Sequence, residues 1–207
     1  MRADARRNHQ RLLEAARDVF VEQGPGASLE EVARRAGVGI ATLYRRFGDR
    51  DTLMHAVVMQ ALTGTIEAAE RAMRDNLDPL DALADYMHSV LDLRTSAVIP
   101  TLLDALDLHE PRLAAARTTS ARLVEELLEA AHRTGRLRKD VTFGDIGLLL
   151  VRLSRPLPGA FPPDVQHALA HRHADLFLAG LRADAAERPL SGPALDLTDL
   201  QRHRPDT

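Results

Sequence analysis

Five polar residues in "IATLYRRFGDR", residues 40–50, could do chemistry on a polyanion: Thr42, Tyr44, Arg45, Arg46 and Arg50. Two hydroxyls and three guanidinium groups within nine residues suit contacts to phosphate oxygens. Ile40 and Ala41 precede them and carry no hydrogen-bonding group, but either can pack on a thymine methyl. A second set lies far along the chain. His167 and His171 are four apart, with His173 nearby. On a helix the first pair shares a face, a spacing that can hold a metal ion. No H-E-x-x-H is present, no cysteine helps, and His173 falls on another part of the helix, so surface or interface histidines are the favoured reading and no metal or other cofactor is expected. Asp107, His109 and Glu110 in "DLHEP" read as a solvated helix end. No G-x-S-x-G, phosphate-binding loop or dinucleotide glycine pattern occurs, and no catalytic set emerges.

The composition sets bounds on these readings. The chain has 207 residues, enough for a substantial core, and no cysteine, so neither disulfides nor thiolate chemistry is available. No apolar run approaches the ~18 residues of a membrane span, and "MRADARRNHQ" lacks the apolar stretch of a secretion signal. A cytoplasmic protein without membrane contact is expected. Lys139 is the only lysine. Residues 1–50 hold ten arginines against seven acids, and the rest holds seventeen cations against twenty-three acids. A basic head on an acidic body predicts that only the head meets a polyanion.

The elements that must position the polar residues are helical throughout. Apolar residues recur at three- and four-residue intervals, and nothing alternates with period two, so the expected fold class is all-α with about nine helices. Helix one is expected over 4–23, ended by Gly24. Ser28 and Glu31 have the spacing of a capping box for a short second helix, which Gly37 stops. A third helix follows over 40–47, with Leu43 and Phe47 four apart and facing inward. Asp49 is placed to start a long helix reaching residue 74. Further helices are expected near 79–95, 99–106, 111–134, 143–154 and 163–183. Domain boundaries are expected at 1–50 and 51–183, with a poorly ordered tail over 184–207, which is rich in proline and charge.

Two short helices joined by a glycine turn, with helix one as a third wall, form a helix-turn-helix arrangement. With Leu43 and Phe47 turned in, Ile40, Ala41, Thr42, Tyr44, Arg45 and Arg46 remain outside, where a recognition helix presents its residues to a major groove. Ser28 and Arg50 stand at helix starts, where backbone N–H groups favour an anion.

"SLEEVARRAGVGIATLYRRFGDRDTL" resembles the DNA-binding segment of the TetR family of bacterial transcriptional regulators. The resemblance rests on the hydroxyl residue opening the first short helix, on "VARRAGV", on "TLYRRF" and on the basic–acidic pair beyond; it covers about residues 6–54. Gly39 departs from the capping serine common in that family, and glycine is tolerated there at a few tenths of a kcal/mol. The resemblance implies a homodimeric repressor that binds a near-palindromic duplex operator through Ser28, Gly39, Ile40, Ala41, Thr42, Tyr44, Arg45, Arg46 and Arg50. It also implies release by a small-molecule effector. The wall of such a ligand pocket would fall on Tyr86, Met87, Leu91, Leu102, Leu103, Leu106 and Leu127. A dimer interface made by the last two helices would use Leu148, Val151, Leu169, Leu176, Phe177 and Gly180. The alternatives are a helical metal-dependent enzyme built on His167 and His171, and a helical scaffold that binds protein.

Overall fold

The computed structural model describes residues 2–94, 96–157, 159, 161–185 and 188–196. Its helices are α1 Arg2–Gln23, α2 Leu29–Ala36, α3 Ile40–Phe47, α4 Arg50–Asp75, α5 Pro79–Leu93, α6 Val98–Leu102, α7 Pro111–Arg133, α8 Phe143–Leu153 and α9 Pro163–Gly180. Single 3-10 turns follow α6 and α9. Among the described residues the only β pairing is an isolated antiparallel bridge between Leu137 and Arg182.

Helix ends follow local chemistry. Gly24 takes φ 82° and donates its N–H to Phe20, closing α1 as the glycine position predicts. Asp49 caps α4 through Thr52 N–H at 2.8 Å. The "DLHEP" cluster is also a cap. Glu110 accepts from the N–H groups of Arg112 and Leu113 at the start of α7, and these bonds hold its carboxyl below the usual range. The capping box expected at Ser28 forms only by half. The Ser28 hydroxyl accepts from Glu31 N–H at 3.3 Å, but the Glu31 carboxylate turns forward to Arg34 and Arg35.

The molecule has two apolar clusters. The first joins α1, α2 and α3 to the N-terminal half of α4 (Leu53 to Leu62), to Val98, Leu102 and Leu103, and to Leu113 of α7. The second joins Ala68, Ala69 and Ala72 of α4 to α5, the C-terminal half of α7, α8 and Ala174 of α9. The packing boundary therefore crosses α4 between Leu62 and Ala68, some way past residue 50. Burying each Leu, Val or Phe of these clusters contributes about 1.5–3 kcal/mol.

Part of the tail lies against the body. Arg138 donates to the Arg188 carbonyl (2.8 Å), Asp140 accepts from Leu190 N–H (3.2 Å), and the Leu195 carbonyl accepts from Gly144 N–H and Thr142 Oγ1. Arg138 and Asp140 are themselves paired by two bonds, which hold the Asp140 carboxyl far below its usual range. Residues 186, 187 and 197–207, where the expectation of a loose tail also falls, lie outside the described residues.

Candidate nucleic-acid interface

The interface is built on α3, and α3 is placed by its inner side. Leu43 is fully buried and Phe47 nearly so. Gly37 ends α2 in the left-handed region (φ 67°), and Val38 N–H returns to the Ala33 carbonyl at 3.0 Å. That turn lets Val38 pack against the first cluster while α3 starts at Ile40. The arginines of α2 point elsewhere. Arg35 makes two bonds to Glu22 at the end of α1 and one to Glu31, and Arg34 makes two to Glu31. These bonds hold the Glu31 carboxyl down to about 2. The Arg35–Glu22 pair ties α2 to α1, and Arg34, though exposed, is held to Glu31 on its own helix, whereas Arg45 and Arg46 of α3 make no ion pair with an acid among the described residues.

Tyr44 is 46% exposed, and Ala41, Arg45 and Arg46 are exposed as well. Thr42 is half-buried and lies 3.4 Å from an Arg45 nitrogen that donates to its hydroxyl. Ile40 is half-buried and packs on the first cluster, so it straddles core and surface. Gly39 caps α3 with no side-chain bond.

Two expected contact residues are already engaged. Arg50 Nη1 donates to the carbonyls of Pro25 (3.0 Å) and Ala27, so its guanidinium ties α4 to the loop between α1 and α2. The anion-attracting start of α4 is occupied by the Asp49 carboxylate. The Ser28 hydroxyl donates to Glu30 at 2.7 Å.

His9 joins the site from α1. Its ring stacks on Phe47 (centroids 5.4 Å apart), and its Nδ1 accepts from Arg46 Nε at 2.8 Å. Partial burial, then the Arg46 charge, push the His9 pKa below its ordinary value. Neutral His9 thus orients Arg46 from α1. The sequence offers no signal for this, since the two are 37 positions apart.

The other expected sites fare unequally. Tyr86, Met87, Leu91 and Leu127 meet in the second cluster, whereas Leu102, Leu103 and Leu106 belong to or pack on the first, so the seven are divided between the two clusters. The Tyr86 side chain is buried, which pushes its hydroxyl pKa up. A cleft of about 330 Å³ lies between α5, α8 and α9; of the seven only Leu91 reaches it. Of the expected dimer residues, Leu148, Leu176 and Gly180 are exposed and Val151, Leu169 and Phe177 half-buried. Along α9, Ala174 alone is buried. The histidines of α9 are joined by His88, Asp92 and Asp175, to which sequence spacing does not connect them.

This arrangement has known counterparts. Residues 12–57 match the bacterial regulatory proteins of the tetR family, and residues 78–183 match the C-terminal domain of SbtR-like transcriptional regulators. A TetR transcriptional regulator from Streptomyces coelicolor is 30% identical, with 84% of this chain and 97% of that one covered and a TM-score of 0.54. A TetR regulatory protein from Mycobacterium vanbaalenii is 32% identical, covers 88% and 99%, and has a TM-score of 0.56. The regulator LfrR of Mycobacterium smegmatis, solved with proflavine, shares the fold (TM-score 0.60, 22% identity, 90% and 99% covered). An HTH-type transcriptional regulator of Staphylococcus aureus is 33% identical over 91 residues, 42% of this chain and 49% of that one. The chain thus spans about half the length of the curated relatives it matches. It belongs to the TetR family, a family of helix-turn-helix transcriptional regulators.

Proposed function

We propose that this chain is a cytoplasmic, homodimeric repressor that binds a near-palindromic duplex through α3 and is released by a small-molecule effector. The observation that carries the reading is the division of α3. Leu43 and Phe47 are sequestered, and Ala41, Tyr44, Arg45 and Arg46 are left projecting. Tyr44, Arg45, Arg46 and Thr42 would grip phosphates, while Ile40 and Ala41 would meet base edges, with Gly39 opening the helix beside them. Arg50 and Ser28 take a positioning role, since their polar atoms hold the loop and the start of α2. Two recognition helices reach successive major grooves only in a two-fold dimer, about 34–36 Å apart. The apolar, largely uncovered face of α8 and α9 favours a second copy of this chain as its cover, through Leu148, Val151, Leu169, Leu176, Phe177 and Gly180.

The route from effector to DNA runs along α4, which serves both apolar clusters. A ligand entering the second cluster near Tyr86, Met87, Leu91 and Leu127 must part it from Ala68, Ala69 and Ala72. At 26 residues α4 is about 39 Å long, so a tilt of about 5° moves its far end by about 3 Å. Leu102, Leu103 and Leu106 would transmit rather than bind. By reciprocity DNA weakens effector binding by the same factor. The test is a gel shift on the DNA upstream of the gene itself. Salt-sensitive binding to a near-palindrome supports the reading, and its absence there argues against it. Reversing the charge of Arg45 and Arg46 separates this function from that of a protein-binding scaffold, which would tolerate the change.

A further inference from the structure

A cluster between α5 and α9 has no part in DNA binding. His88 and Asp92, four apart on α5, face His167, His171 and Asp175 on α9. The Nδ1 atoms of His88 and His171 are 2.7 Å apart, and the rings stack with centroids 4.9 Å apart. His88 Nε2 lies 3.0 Å from Asp175 Oδ1, and His171 Nε2 lies 3.0 Å from Asp92 Oδ1. His167 Nε2 is 3.3 Å from that same Asp92 oxygen, with its ring edge-on to that of His171.

The row from Asp175 through His88 and His171 to Asp92 contains three close contacts between atoms that bear lone pairs. Each contact needs a hydrogen or a cation between its atoms. Two neutral imidazoles bring one N–H each, two in all. One further positive centre is therefore required. The Asp92 end is where it fits. His171 Nε2 is buried and makes no aligned hydrogen bond, although Asp92 Oδ1 is within 3.0 Å. Both ends of the row show ion-pair separations without an aligned hydrogen bond, but only at the Asp92 end is the ring nitrogen fully buried. A second imidazole nitrogen converges on the same oxygen there, whereas the Asp175 end has only one.

We propose that Asp92 Oδ1, His167 Nε2 and His171 Nε2 ligate a divalent transition-metal ion of the Zn2+ class. The three atoms lie within 4.8 Å of one another. Tetrahedral bonds of about 2.0–2.1 Å place ligand atoms about 3.3 Å apart, close to the 3.0 and 3.3 Å that separate Asp92 from the two histidines. With the ion on Nε2, His171 donates its Nδ1 hydrogen to His88, and His88 turns its Nε2 hydrogen to Asp175. All three contacts are then satisfied, and the outer pair fixes the tautomer of the ligand. Two imidazoles and one carboxylate suit Zn2+, Co2+ or Ni2+ better than Mg2+ or Ca2+, which prefer oxygen. His167 also lines the cleft of about 330 Å³, so a water or a small ligand can reach the fourth position. The ion clips α9, which buries little else, onto α5.

The test uses full-length, tag-free protein stripped with a chelator and titrated with Zn2+ by calorimetry and with Co2+ by absorption. One ion per chain, the visible bands of a four-coordinate Co2+ site, and a higher melting temperature with Zn2+ are expected. His171→Ala and Asp92→Asn should each weaken binding by about 100-fold, and His88→Phe by about 10–100-fold. His109→Ala, at a nearly fully exposed histidine elsewhere, should leave it unchanged. Circular dichroism confirms that each variant is folded; if His171→Ala unfolds, His167→Ala, at an exposed residue, replaces it. Failure of the wild type to bind one ion per chain, or equal affinity in the folded ligand variants, overturns the proposal. The titration reads the site whether or not the chain binds DNA.

Discussion

Gly39 opens α3 with ordinary extended dihedrals (φ −74°, ψ 146°), and a Cβ placed there would meet nothing within 4 Å. A serine at this position can cap the helix without displacing anything. Gly39→Ser should therefore stabilise the protein by a few tenths of a kcal/mol, raising the melting temperature by about 1 °C, and should tighten operator binding through the new hydroxyl. A drop in either thermal stability or gel-shift affinity would show that the backbone of the turn is needed bare. Neighbouring residues divide by role. Arg46→Ala should weaken binding to all sequences alike and lower the salt slope by about 1, whereas Ile40 or Ala41 changes should alter which sequence is preferred. Unchanged affinity in Arg46→Ala would misplace the groove. His9 adds a pH term. The fold lowers its pKa below the ordinary 6.5, so the unfolded chain binds more protons in the window beneath 6.5. The contribution is fully present above that value and is lost as pH falls through the window toward the lowered pKa. Thermal melts between pH 7 and 5.5 should show a smaller acid loss in His9→Gln than in the wild type; parallel curves would remove His9 from the account.

At the scale of elements, α3 was readable because its signals are local. Leu43 and Phe47 are one turn apart, Gly37 marks the turn, and both borders of α3 fall where spacing placed them. The capping box was readable only by half. Glu31 has Arg34 and Arg35 three and four positions ahead, and the stronger charge-assisted bonds draw its carboxylate forward. The division of the expected pocket residues between two clusters was not readable, because helical period marks an inward face without saying which cluster receives it. The same limit hid the partners of His171, since Asp92 comes from a different helix far earlier in the chain. The tail contact is long-range too. Gly144 in the first turn of α8 lies against the Leu195 carbonyl, only 2.4 Å from where a Cβ would sit. Gly144→Ala must push that carbonyl away and break its bonds to Gly144 N–H and Thr142 Oγ1. The expected cost is about 1–3 kcal/mol in denaturant unfolding, with faster proteolysis within 188–196. Unaltered cleavage would mean that the strap holds through Arg138 and Asp140 alone.

At the scale of the whole molecule, the excess of acids beyond residue 50 repels a duplex, so the basic head must supply the attraction. One head offers a small contact area. Operator affinity then depends on joining two heads, and the joint proposed above is the α8–α9 face. Leu176 is the sharpest probe of that joint. It is 63% exposed, so the single chain loses little packing when it is changed. Leu176→Glu should leave helical content and the melting transition of the monomer nearly intact. In a dimer it would bury two like charges across the axis, a cost that apolar packing does not offset. Analytical ultracentrifugation should then show a monomer where the wild type is a dimer. Binding to the full near-palindrome should fall by about 10²–10⁴-fold, the gain that linking two sites provides, while the weak binding to a half-site should not change. A variant that still sediments as a dimer, with full operator affinity, would move the interface off α9. Gly180→Ala gives a second reading of the same face, because a Cβ at Gly180 meets nothing within 4 Å in the single chain, so weaker dimerisation without a loss of monomer stability would place a partner there.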